Sequence, residues 1–155
     1  MIDWIGALGA GLAGAVVLMV LTDASRLAGV IEANLTRYQG CLVVGRSDGA
    51  AAWLAGLGMH LVMGAVLALG YALAFGLIWG TASWMSGALL GALHGVAAGA
   101  GFPMLDSLNP CVRDGHMRGF GLFGRGYGMM MTLGLLAGHV VYGAVVGWLY
   151  TVPVP

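Results

Sequence analysis

The chain has 155 residues, of which 60% are hydrophobic and 8% charged, against about a quarter charged in an ordinary soluble domain. Six acidic residues balance six basic ones, so no excess positive charge marks a nucleic-acid partner. A chain this apolar needs the lipid bilayer as its solvent, and the expectation is an integral protein of the plasma membrane.

Charge-free apolar runs extend over residues 4–22, 49–105 and 127–150. One membrane span takes about 20 residues, so the middle run holds two, divided by the polar stretch WGTASW at residues 79–84. The predicted fold is all-α, with four transmembrane helices near residues 3–28, 50–78, 83–104 and 127–150 in a single domain. The first reads as a span and not as a cleavable signal peptide, because Asp3 stands where a basic segment would be.

Between the first two spans, Ile31, Leu35, Tyr38 and Leu42 recur at helical spacing while Glu32, Thr36, Arg37 and Gln39 fall elsewhere. This predicts a short amphipathic helix lying at the membrane surface. The connection DSLNPCVRDGHMRGFGLFGRGYG before the fourth span is too rich in glycine, with Pro110, for a long helix. There Phe120, Leu122 and Phe123 are expected to dip into the interface. Asp23 with Arg26 and Glu32 with Arg37 suggest local ion pairing. The glycines 119, 121 and 124 spell a dinucleotide-type G-x-G-x-x-G, yet no strand precedes them, and such a motif requires one.

Every basic residue is arginine, and all six fall in residues 23–48 and 106–126. The positive-inside rule then puts both connections in the cytoplasm and both termini outside. On that reducing side Cys41 and Cys111 are expected to be free thiols. Orientation and cysteine state are therefore linked.

HLVMGAVL at residues 60–67 is echoed by HVVYGAVV at 139–146, and GALGAGLAG at 6–14 more loosely by GALLGALHG at 87–95. The pattern is that of a duplicated helical hairpin, a parallel repeat about an axis along the membrane normal. Small residues recur every four positions: Gly87, Gly91, Gly95 and Gly99 in the third span, His139, Gly143 and Gly147 in the fourth, and His60 and Gly64 in the second. Such ridges let helix backbones approach closely in lipid, where apolar burial does not drive association.

His60 and His139 occupy matching places in the repeat. Two such imidazoles would suit the axial positions of a b-type haem, or a chlorophyll-type ligand, and His94 could be a third ligand. The reading favoured is that they hydrogen-bond neighbouring helices, since a neutral histidine is far less costly in lipid than a charge. Met59, Met63 and Met129 to Met131 would suit Cu(I), but Met63 becomes Tyr142 in the other repeat, which a required ligand would not do. No metal site is expected. No nucleophile–base set or paired intramembrane carboxylates indicate an enzyme.

Trp53, His60 and Gly64 in W-x6-H-x3-G, GLFG at 121–124, and AGHVVYGAVVGWLY at 137–150 resemble a family of small four-span membrane proteins of unknown function. Its members share a histidine in the second span and H-x2-Y-G near the end of the fourth. The resemblance implies a fold and supplies no activity. The functional expectation is a non-catalytic accessory or scaffolding subunit that contacts the bilayer and other membrane-protein subunits, or copies of itself. The alternatives are a cofactor-binding subunit using His60 and His139, and a small-solute pore, for which the spans offer little polar lining.

Overall fold

The computed structural model of the chain describes residues 2–151, in which every regular element is helical. The elements are α1 (Trp4–Leu27), α2 (Leu35–Val44), α3 (Ala50–Ala74, continued as a wider π turn over Phe75–Trp79), α4 (Trp84–Leu108), α5 (Pro110–Arg113) and α6 (Met129–Leu149), with a 3₁₀ stretch at Leu122–Tyr127. The shortest long helix, α6, has 21 residues, which at 1.5 Å per residue is about 31 Å and matches the bilayer's hydrocarbon thickness. Among the described residues, four helices are thus long and apolar enough to cross a membrane. The third runs to Leu108, past the predicted end and through Pro103. Proline is tolerated in a span when its surroundings satisfy the freed carbonyl.

The chain forms two compact units, each built from segments of several helices. The first comprises the described residues of Met1–Leu21, Leu61–Gly95 and Ala137–Pro155. Its core is small residues around aromatics: Ala7, Ala10, Ala68 and Ala72 with Tyr71, Phe75, Tyr142 and Tyr150. Here the glycines act as contact points. A Cβ at Gly64 would strike Ala15 of α1, one at Gly87 the Gly143 carbonyl, one at Gly91 the His139 carbonyl, and one at Gly147 the Ser83 carbonyl. Backbone meets backbone at these positions, which only a missing side chain allows. Trp4, Trp79, Trp84 and Trp148 stand exposed at the α1 start, α3 end, α4 start and α6 end. These ends alternate onto one side, as tryptophans of an interfacial belt do.

The second unit comprises Thr22–His60 and Val96–Leu136. Asn34 starts α2 by accepting the Arg37 N–H at 2.9 Å, and Gly45 ends it with a positive φ of 71°. This helix lies directly against α3: a Cβ at Gly40 would meet the Ala52 carbonyl, and one at Gly56 the Thr36 carbonyl. Its buried face is therefore Thr36, Tyr38, Gln39, Gly40 and Cys41. Thr36 and Gln39, expected to face away from the apolar side, are turned inward by that glycine contact. Gly99 is buried, and a Cβ there would strike the Phe123 ring, whereas Gly95, also buried, belongs to the first unit.

The second connection departs further from the prediction. Phe120 is fully buried, stacked on Phe102 with ring centroids 4.5 Å apart and edge-on to Tyr38 at 4.6 Å. It serves this unit's core and does not dip into lipid; Leu122 remains exposed. Cys41 and Cys111 are joined in a disulfide, with Cα atoms 6.2 Å apart. The free-thiol expectation is overturned because α2 and α5 bring together residues 70 apart in sequence.

Candidate functional site

Two polar clusters stand out, one in each unit. In the first unit, His94 lies ten residues in from Trp84 and His139 ten residues before Leu149, each about 15 Å along its helix from that end. Both are thus at mid-span. Their rings are in edge-to-face contact, with centroids 4.7 Å apart. Tyr71 from α3 places its hydroxyl 3.2 Å from His94 Nδ1. With the phenol donating, the imidazole carries its own proton on Nε2. Tyr142, one turn after His139, packs edge-on to both Tyr71 and His94.

Tyr142 also donates its hydroxyl to the Gly64 carbonyl of α3 at 2.6 Å. This is one of the three positions at which the two repeated phrases diverge, Met63 against Tyr142. Interhelical hydrogen bonds of this kind in membranes contribute about 0.6–1.7 kcal/mol. Tyr142→Phe should therefore lower unfolding free energy by about 1 kcal/mol, read by denaturant titration in detergent micelles; an unchanged midpoint would show that the bond contributes nothing net.

Of the three histidines singled out from sequence, the structure brings His94 and His139 together in one unit, while His60 belongs to the other. A haem held by two axial imidazoles has its flat macrocycle between them. The direct ring contact of His94 with His139 leaves no such gap, so these two do not fit as an axial pair. No group of three or more His, Cys, Asp or Glu side chains is gathered for a metal ion among the described residues.

The second cluster centres on Asp106, near the end of α4. Its carboxylate accepts three hydrogen bonds: from the Tyr38 hydroxyl at 2.8 Å, the Phe120 N–H at 3.0 Å and the Gly121 N–H at 2.7 Å. Burial, and then the neighbouring Asp106, push the Tyr38 phenol well above its ordinary range, so it remains the donor. Asn109, fully buried, accepts the Cys111 N–H at 3.1 Å and donates to the Tyr38 carbonyl at 3.0 Å. The irregular second connection is thereby tied to α2 by side chains that take up its otherwise unpaired backbone groups.

Asp106, Asn109, Tyr38 and Tyr71 were not read as site residues from sequence. The available signal was local: an acid at a span's end followed by Asn-Pro and a glycine-rich loop full of amides needing acceptors. Of the predicted ion pairs, Arg26 and Asp23 meet at 3.6 Å, while Arg37 pairs with Asp48 at 3.3 Å. No family model, curated protein or solved structure matches the chain.

Proposed function

We infer that the chain is a non-catalytic accessory or scaffolding subunit of a larger plasma-membrane complex. The observation that carries this reading is a set of span glycines left open. Gly9, Gly58, Gly70, Gly76 and Gly101 have no atom beyond their own helix backbone within 4 Å of where a Cβ would stand. Glycine inside a helix costs about 1 kcal/mol relative to alanine in water-soluble hosts, and its return in a membrane is close approach by another helix. The ridges at Gly64, Gly87, Gly91, Gly143 and Gly147 obtain that return inside the first unit. These open positions are places where another subunit, or a second copy, can sit.

In each half of the proposed duplication the two spans meet at glycines, α1 and α3 through Gly11 and Gly64, α4 and α6 through Gly87 and Gly143. This supports a shared hairpin pairing but a different register, since Gly87 answers to Gly6 in the echoed phrases. Membership of the four-span family with a second-span histidine and H-x2-Y-G belongs to the same reading. The experiment is purification of the full chain from its native membrane in mild detergent, followed by native mass spectrometry. A specific heteromer or homo-oligomer that Gly70→Leu and Gly58→Leu weaken is expected; a stable, lone monomer would remove the proposal.

A second reading is ligand binding at the His94–His139–Tyr71 cluster, favoured by its mid-span placement, since ionisable groups at that depth are a default sign of function; His60, in the other unit, is not part of that cluster. An absorption spectrum of the same preparation decides it. A Soret or chlorin band lost on replacing His94 and His139 would support it, and a featureless visible spectrum would end it.

A further inference from the structure

The second unit carries two opposed marks of membrane side. All six arginines lie in the two connections, which the positive-inside rule assigns to the cytoplasm. The same two connections are joined by Cys41–Cys111, and stable structural disulfides belong to oxidising compartments. The charge bias acts once, during insertion, and neighbouring subunits can override it. Redox poise acts on a cysteine pair throughout the life of the protein.

The pair is also built in. Both cysteines are buried, the Cys111 N–H points at Cys41 Sγ from 3.2 Å, and the adjacent Asn109 ties Tyr38 on α2 to the start of α5. Two of the arginines are already engaged by acids of their own connection, Arg26 by Asp23 and Arg37 by Asp48.

We propose that the connection-bearing face lies in the oxidising compartment, with the termini and the turn at residues 80–83 on the cytoplasmic side, and that a thiol–disulfide oxidoreductase of that compartment forms Cys41–Cys111. One cysteine thiolate attacks the oxidoreductase disulfide, forming a mixed disulfide and releasing one of the enzyme's thiolates. The other cysteine thiolate attacks its partner's sulfur in that mixed disulfide, closing Cys41–Cys111 and expelling the second. The chain loses two electrons and two protons, and the oxidoreductase gains them as a dithiol. Because both sulfurs are buried in the finished fold, exchange precedes the docking of α2 against α5.

The test uses the full chain in cells of its native type, quenched with acid, denatured and treated with maleimide-polyethylene glycol with and without prior reduction. In parallel, C-terminal fusions to alkaline phosphatase and to a cytoplasmic fluorescent protein report the side of the terminus. Two polymer additions appearing only after reduction, with a fluorescent and phosphatase-inactive C-terminus, are expected. Polymer addition without reduction overturns the proposal. So does an intact disulfide accompanied by an active phosphatase, which would mean a disulfide on the cytoplasmic face.

Discussion

Gly143→Val is expected to lower unfolding free energy by about 3 kcal/mol or more, the upper part of the range for forcing side-chain volume into a packed site. A Cβ at Gly143 would stand 2.8 Å from Gly91 Cα and 2.9 Å from Gly91 N, and would strike the Gly87 carbonyl. All of these are backbone atoms, so no rotamer change can yield. The only relief is separation of α4 from α6, which also opens the contacts of Gly147 with Gly87 and of Gly91 with the His139 carbonyl. In lipid nothing compensates, because the separated surfaces gain no hydrophobic penalty that would pull them back and simply lose dispersion contacts. Gly9→Ala is the control. With open space at that position, it should be neutral or stabilising by up to about 1 kcal/mol. Denaturant unfolding in detergent, followed by circular dichroism, compares them, and equal midpoints for the two variants would refute the close-packing account.

Asp106→Ala should be nearly as damaging. It removes the acceptor for the Tyr38 hydroxyl and for the Phe120 and Gly121 amides together. Hydrogen bonds to a charged group contribute about 1.5–3 kcal/mol each, and a buried donor left unpaired adds its desolvation penalty. The carboxylate is partly exposed, so water can replace some of the loss, and a net cost of about 3 kcal/mol is expected. The effect should be local to the second unit. Hydrogen exchange at the Phe120 and Gly121 amides should accelerate strongly, whereas amides around Gly87 and Gly143 keep their protection. Asp106→Asn retains one acceptor oxygen and should fall between the two. Unchanged exchange at Phe120 in Asp106→Ala would show that the loop is held by packing alone.

Much of the architecture was legible in the residues. The spans were, because lipid demands long uninterrupted apolar helices, and their ends came within a few residues, the largest difference being α4, which runs to Leu108 where 104 was expected. The ridge at Gly87, Gly91, Gly143 and Gly147 was legible too, because a four-residue period puts small residues on one helix face. The partners of each ridge were not. Periodicity says which side of a helix is smooth, while the helix it meets depends on the connections.

The candidate site was legible only in part. Spacing marked His94 and His139 as intramembrane polar residues, but their mutual contact and the Tyr71 bond depend on three separate helices arriving at one depth. The irregular connection misled in a consistent way. An apolar residue such as Phe120 beside glycines looks like an interfacial anchor when the only available apolar medium is lipid; the structure supplies another, the core formed with Phe102 and Tyr38.

By itself, then, the sequence determined the solvent, the span count and the smooth helix faces, since each follows from local composition and helical period. Tertiary structure alone decided that Cys41 and Cys111 pair, that Asp106 holds the second connection, and that His94 meets His139. These are encounters between residues tens of positions apart, and local propensity carries no term for them. The cysteine pair shows the consequence most clearly: arginine counting alone assigns the connections to the cytoplasm, and a contact across 70 residues is what argues for the opposite side.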